Sequence, residues 1–479
     1  MKRNLLILPF LFQLFVAQAQ ELISSEFVGN FSQLQISLIS PVPPNHGVDM
    51  YRVLYTTPDV QGVQDTASGL LCVPDVTGTF PLLAYQHGTV GGPEDVPSNQ
   101  RGGFELAVLF ASQSFITTAA DFLGLGEARG FHPYVHAATQ ASAAIDMLFA
   151  AQDFVSETAS YDLNDQLFIT GYSQGGHASM AMHRAIEQDF KDKFNVAAAS
   201  HMSGPYSISG VMRDLILSDD PYGTVAYLPN TVLGYQTAYG DLYDSLDEVF
   251  KEPYVTNIRA FEAGEIELFE LNDTLITLLT EEVGAPITKF MVQEDYLESL
   301  QSDPEHPANV ALRDNDVFDW KPQSITRIYY CSADDQVPFR NSIVADSVMR
   351  ANGAADLQTF NVGDNLDHNG CVFPAVTATL DVFLREQDLS SNTETILDAS
   401  SVYFYPNPAK DQLAITVEGD VPTRLEVEIT DLKGQLLYRE QLRQQGTTSV
   451  NIANLPKGVY LVRMTTAAGT RTDKLVVQR

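Results

Sequence analysis

The sequence predicts an α/β protein, a mostly parallel sheet covered by helices on both faces, with a small all-β module after it. Three observations predict this. Apolar, β-prone runs alternate with helical runs between residues 80 and 200. A serine stands between a β-prone run and a helix-prone run in Gly171-Tyr172-Ser173-Gln174-Gly175-Gly176, a strand-to-helix turn that exposes its hydroxyl. Beyond residue 400 helical periodicity gives way to evenly spaced short strands and the charge balance reverses.

The bulk numbers narrow the classes. At 479 residues the chain is too long for one ordinary domain, and 44% hydrophobic with 19% charged residues describes a core-forming protein. A net charge of −33 leaves no basic field for nucleic acid or for an anionic membrane surface, and no partner of either kind is expected. Residues 20–400 hold 16 basic and 53 acidic residues, whereas residues 401–479 hold 10 and 8. That contrast puts a boundary near 390–400, with the polar run 387–400 as a linker.

Residues 1–19 read as an export signal. Lys2 and Arg3 precede the apolar run Leu5 to Val16, and Ala17-Gln18-Ala19 offers a small-residue cleavage site. No later segment is long and apolar enough for a transmembrane helix, so export is expected and a membrane span is not. The three cysteines, Cys72, Cys331 and Cys371, are too few for a disulfide scaffold, though an exported chain permits one bond.

The first domain occupies 20–386. Met50 to Tyr55 and Ala67 to Val73 read as antiparallel lead-in strands, with Cys72 a small buried hydrophobe. Phe80 to Tyr85 is an apolar strand running into Gln86-His87-Gly88-Thr89, and Ser114 to Ala120 is another, followed by the loop 121–126. A helix over Ala137 to Gln152 leads to the nucleophile strand, a helix over Ala178 to Gln188 leaves it, and Val196 to His201 is the next strand. Residues 204–322 carry helical patterns, including Asp241 to Phe250 and Glu265 to Glu282, without a parallel strand, and read as a cap inserted over the site. The sheet resumes at Ser324 to Cys331, then come a helix near Ser342 to Asn352, a strand near Leu357 to Val362 and a final helix near Val372 to Glu386.

A serine hydroxyl is a poor nucleophile at neutral pH and needs a histidine base held by a carboxylate. At a turn of this kind the partners follow in the order serine, acid, histidine. Of nine histidines, only His177, His183, His201, His306 and His368 follow Ser173. The first two lie on the helix leaving the serine, His201 at a strand end and His306 in the insertion. His368 alone lies beyond a strand end that carries an acid, in the polar loop 363–370, and is the expected base. Asp334 and Asp335 compete for the acid. Asp334, three residues before Val337-Pro338, is favoured, and Asp335 is expected to face solvent or cap the next helix. The backbone N–H of Gln174 and the loop residue Thr89 are the expected oxyanion donors. Cys331 and Cys371 flank acid and base, either as a disulfide or as two buried thiols.

Tyr85-Gln86-His87-Gly88-Thr89, Asp121-Phe122-Leu123-Gly124-Leu125-Gly126, His132-Pro133-Tyr134, the turn 171–176 and Asp334 to Pro338 together resemble the secretory-lipase branch of the α/β-hydrolases, the fungal lipase A type and its bacterial relatives. The resemblance covers residues 50–385. It implies an esterase or lipase that cleaves carboxylic esters through an acyl-enzyme beneath a helical cap, with no metal or cofactor. Asp121-Phe122 departs from the Asp-Tyr common among those relatives, and Asp121 and His132 are expected to support the site. A serine peptidase or amidase on the same machinery, and a non-catalytic surface adhesin, are the alternatives.

Residues 401–479 predict a small immunoglobulin-like β-sandwich, with strands at Leu413 to Glu418, Leu425 to Thr430, Gln435 to Tyr438, Ser449 to Ile452, Val459 to Met464 and Lys474 to Val477. Tyr405-Pro406-Asn407-Pro408, Leu455 to Tyr460 and Lys474 to Val477 resemble the type IX secretion sorting domain of Bacteroidetes. That resemblance implies the type IX machinery as a partner, passage across the outer membrane to the surface or medium, and later removal of the module. A carbohydrate-binding or adhesive sandwich is the other reading.

Overall fold

The computed structural model describes residues 21–40, 42–158, 160–389, 402–417, 425–431, 436–442, 446–466 and 469–478. The expected leader 1–19, linker residues 390–400 and the strand ends Glu418 and Gln435 lie outside these. The chain divides into two compact units, Met1–Asp388 and Leu389–Arg479.

The first unit is built on one sheet. Its strands are β1 (Leu22–Phe31), β2 (Val48–Pro58), β3 (Gln64–Pro74), β4 (Gly78–Gln86), β5 (Ile116–Ala120), β6 (Tyr161–Tyr172), β7 (Asn195–Met202), β8 (Ile325–Cys331) and β9 (Leu357–Gly363). They lie in the order β1-β2-β3-β5-β4-β6-β7-β8-β9. The lead-in strands β1, β2 and β3 are antiparallel to their neighbours, and all pairings from β5 to β9 are parallel. Both faces of the parallel part are buried, which is why β4 and β6 end as continuous apolar runs instead of alternating.

The helices of this unit are α1 (Gln33–Ile39), α2 (Phe104–Ala111), α3 (Ala137–Glu157), α4 (Gln174–Asp189), the cap helices α5 (Arg213–Leu217), α6 (Tyr227–Tyr239), α7 (Tyr254–Glu262), α8 (Leu268–Val283), α9 (Glu294–Ser302) and α10 (Pro307–Asp314), and finally α11 (Arg340–Ala351) and α12 (His368–Glu386). Helices α3, α4 and α11 contribute to the core on one face of the sheet through residues such as Ala144, Met180 and Met349. Helices α1, α2 and α12 pack on the other through Ile36, Phe110 and Phe383. The cap has its own core, formed around Leu233, Phe250, Tyr254, Leu271 and Leu275.

Two expected elements differ. Asp241 to Phe250 is not a helix: Gly240, at φ 78, ends α6, only the short 3-10 turn Leu246–Glu248 forms, and Phe250 bridges to Val292 in extended backbone. Its buried Leu242, Leu246, Val249 and Phe250 carry a helical spacing that turns and a bridge satisfy instead. The last helix starts at His368 rather than Val372, because Asp367 caps it by accepting from the Gly370 N–H at 2.7 Å. His368 is therefore a first-turn helix residue, not a loop residue.

The second unit is all antiparallel. Strands β10 (Val402–Tyr405), β11 (Gln412–Val417) and β14 (Gly446–Asn451) form one sheet. Strands β13 (Leu436–Leu442), β12 (Leu425–Thr430), β15 (Gly458–Thr466) and β16 (Gly469–Val477) form the other. Ile415 and Val450 from the first sheet and Val427, Val462 and Leu475 from the second share one core. The strand pattern in the sequence lacks β10 but marks the rest.

Candidate active site

Ser173 stands between β6 and α4 with φ 61 and ψ −124, a backbone that L residues avoid. Its neighbours explain how the turn is possible. A Cβ on Gly171 would lie 2.1 Å from the Gly175 carbonyl oxygen, and one on Gly175 would lie 1.9 Å from the Gln86 carbonyl oxygen. Strand, turn and helix pass too closely for any side chain there. The Ser173 N–H donates to the Met202 carbonyl at 3.0 Å, which ties the turn to the end of β7. Gln174 opens α4, so its N–H has no carbonyl one turn back and sits at the positive end of the helix.

The candidate acid and base follow β8 and β9, two and three places along the sheet from β6. His368 Nδ1 lies 2.8 and 2.9 Å from the two carboxylate oxygens of Asp334. Asp334 is itself pinned, because its Oδ1 accepts from the N–H groups of Gln336 and Val337 at 3.1 and 2.8 Å. A carboxylate held this way requires the proton on Nδ1, leaving Nε2 as the acceptor nitrogen. Asp335 plays a different part, since its Oδ1 accepts the backbone N–H of His368 at 3.1 Å at the start of α12. Cys331 and Cys371 form a disulfide, joining the end of β8 to the first turn of α12. The Tyr172 hydroxyl donates to the His368 carbonyl at 2.5 Å, a link between the nucleophile strand and the base that the sequence did not suggest.

Ser173, His368 and Thr89 line one cleft of about 470 Å³, together with Tyr172, Gln336 and Phe269. Gly88 brings the loop after β4 against the nucleophile turn, where a Cβ on it would sit 3.7 Å from that of Ser173. The Thr89 hydroxyl hydrogen-bonds that of Tyr134 at 2.9 Å. On its cap side Ser173 borders a second, apolar cavity of about 100 Å³, whose walls include Tyr134, Ile208, Met212, Leu228 and Val337. Tyr227 lines both spaces, and its hydroxyl donates to Gln336 Oε1 at 3.1 Å, so the cap is tied to the acid turn. The sequence singled out none of Ile208, Met212, Tyr227 and Leu228, because they carry no short motif and lie outside the helical runs it marked at 241–250 and 265–282.

The other histidines have different partners. His177 faces Gln140 and the Asn315 carbonyl, and burial pushes its pKa down to about 4. His201 and His183 form a buried chain from Ser179 to Glu187. His87 faces the carbonyls of Gly88 and Asp121, and burial lowers its pKa. Asp121, buried and with a raised pKa for that reason, accepts from the Ser68 hydroxyl at 2.6 Å and the Ser98 N–H at 3.0 Å, which makes it a brace between β3 and the 3-10 turn Pro97–Asn99. Among the described residues no group of three or more His, Cys, Asp or Glu could hold a metal, and no helix is long and apolar enough to cross a membrane.

Comparison with solved structures places this geometry. A ligand-bound form of the rice cell wall degrading esterase LipA from Xanthomonas oryzae matches with a TM-score of 0.66 and 26% identity, over 76% of this chain and 96% of that one. The main unit is an α/β-hydrolase of the esterase and lipase type. Candida antarctica lipase A in its closed state shares the hydrolase fold at a TM-score of 0.55 and 14% identity, over 75% of this chain and 82% of that one. Residues 403–478 match the secretion system C-terminal sorting domain, so the hydrolase is marked for export to the cell surface or medium. No curated protein matches the chain.

Proposed function

We propose that this exported hydrolase cleaves carboxylic esters through an acyl-enzyme, with Ser173 as nucleophile, His368 as base and Asp334 as the orienting acid. The Asp334–His368 contact, on a wall of the same cleft as Ser173, carries the reading. His368 Nε2 takes the Ser173 proton as the oxygen attacks the ester carbonyl. Asp334 stabilises the imidazolium that forms and holds its tautomer. The oxyanion is met by the Gln174 N–H at the α4 N-terminus and by Thr89 across the cleft. The imidazolium then gives its proton to the departing alcohol, and water repeats the cycle to release the acid.

The two spaces beside Ser173 suggest how the substrate lies. An apolar acyl group of short to medium length enters the smaller apolar cavity on the cap side, and the alcohol occupies the larger, more polar cleft bordered by Gln336 and Phe269. The type IX machinery would recognise the sorting module, and cleavage within 387–400 would release the enzyme.

A series of p-nitrophenyl esters from acetate to palmitate, run beside aminoacyl-anilides, tests the proposal. The expected optimum is a short or medium acyl chain, with anilides cleaved at least ~100-fold more slowly. Faster anilide cleavage would make the protein an amidase. Absence of fluorophosphonate labelling at Ser173 would make it a non-catalytic surface protein.

A further inference from the structure

Two stretches of the sequence, 121–126 and His132-Pro133-Tyr134, have no role in the chemistry above, yet the structure joins them beside the nucleophile turn. His132 Nδ1 lies 2.7 Å from the Leu123 carbonyl oxygen. A carbonyl only accepts, so this nitrogen carries the hydrogen. Burial holds the ring's pKa down to about 4, which keeps it neutral near pH 7 and leaves a lone pair on Nε2. The Gln174 side-chain nitrogen lies 2.8 Å from that lone pair. The tautomer therefore dictates which way the buried Gln174 amide turns: its NH2 faces the ring, since an oxygen there would set lone pair against lone pair.

The ring is itself held. Phe122 stacks on it at 6.1 Å and 17°, and Tyr134 meets it edge-on at 6.1 Å. Gly124, at φ +71, lets the two stretches cross, because a Cβ there would lie 2.4 Å from the His132 nitrogen. Ser173 and Gln174 share a peptide in a strained turn. On the Ser173 side its carbonyl accepts from the Gly176 and His177 N–H groups at 2.8 and 3.2 Å and the preceding Ser173 N–H bonds Met202; on the other side the second anchor is the Gln174 side chain on His132. Without the second anchor, the turn can relax and re-aim the Gln174 N–H.

We infer that His132 is a positioning residue: through the Gln174 side chain it sets the direction of the Gln174 N–H toward the oxyanion. The inference rests on the reading of Ser173 as nucleophile. The oxyanion forms only in the transition state, so the effect belongs in kcat and not in KM.

Steady-state hydrolysis of the best p-nitrophenyl ester by the full-length protein tests it. His132→Phe keeps a ring against Phe122 but has no acceptor, and kcat should fall ~10- to 100-fold with KM within about twofold. His132→Gln, whose Oε1 can accept from Gln174, should return kcat to within roughly threefold of wild type. Wild-type kcat in His132→Phe, a change in KM alone, or equal loss in both variants would overturn the inference. If His132→Phe does not melt as a folded protein, Gln174→Met decides instead. It keeps the backbone N–H and loses the amide, so the same kcat loss is expected and an unchanged kcat overturns the inference. Ser173→Ala separates the two levels. A wild-type protein no more active than Ser173→Ala overturns the nucleophile reading and this inference with it, whereas an active wild type with an unaffected His132→Phe overturns this inference alone.

Discussion

The turn at Ser173 and the Asp334–His368 pair border one cleft but are built in opposite ways. The turn is made of consecutive residues, and its shape follows from what Gly171 and Gly175 lack, a Cβ that would strike backbone oxygen at 2.1 or 1.9 Å. The pair joins Asp334, in the turn after β8, to His368, the first residue of α12, and is held by a disulfide, the Asp335 hydrogen bond to the His368 N–H and a tyrosine hydroxyl. The turn's path is confined at Gly171 and Gly175, where no side chain fits, and its Gln174 side chain is tied to His132. The pair is precise only while separate elements stay docked, so damage to it should be graded where damage to the turn is abrupt.

The largest test of that contrast compares the neighbouring acids. Asp334→Ala should lower kcat by about 10⁴, since the imidazole loses its orienting partner. Asp335→Ala should lose a hydrogen bond to the His368 N–H instead, with the Asp367 cap intact, costing about 1 kcal/mol of stability and less than tenfold in kcat. Reversed outcomes would exchange their roles.

Next comes the disulfide. Its 40-residue separation predicts a stability loss of about 4 kcal/mol for the Cys331→Ser/Cys371→Ser pair by the loop-entropy argument. Denaturant melts check the stability. Ser173 labelling by fluorophosphonate should slow with it, because the base is displaced, and unchanged labelling would show that packing alone holds the pair.

A smaller effect comes from acid. His177, on α4, stays neutral when folded, with a pKa of about 4, whereas an unfolded histidine titrates near ~6.5. Between those values the unfolded chain binds more protons, so stability falls as pH drops, and the fall levels off below the folded value. The span corresponds to about 3 kcal/mol. Melting His177→Gln beside wild type from pH 7 to 4 should give the variant the flatter profile, and equal slopes would assign the acid sensitivity to other groups.

Gly175→Ala pairs a smaller stability loss than either of these with a complete loss of activity. If the Gln86 carbonyl yields, overpacking costs about 2 kcal/mol, yet activity should vanish because the serine is re-aimed. An active, folded variant would mean that the turn is less constrained than its backbone contacts imply.

The site was legible where its chemistry is local or ordered along the chain. The flanking glycines, the rule of serine, then acid, then histidine, and the turn before Val337-Pro338 single out Ser173, Asp334 and His368 before any coordinates. The cap was legible only as an insertion. Leu242, Leu246, Val249 and Phe250 mimic a helix because burial, not backbone, sets their spacing, and Gly240 with the Phe250–Val292 bridge decides otherwise. The start of α12 was misplaced because Gly370 and Pro374 discourage a helix, while the Asp367 cap and the disulfide overrule them.

By itself the sequence determined the α/β order of elements, the nucleophile turn, the export module and the short list of reactive residues, all of which depend on neighbours in the chain. Only the tertiary structure decided that Asp335 accepts the His368 N–H at the start of α12, that Cys331 bonds Cys371, and that His132 grips Gln174. Those contacts are angstrom-scale matters between elements remote in sequence. They are set by how strands and helices pack, and no local pattern of residues encodes them.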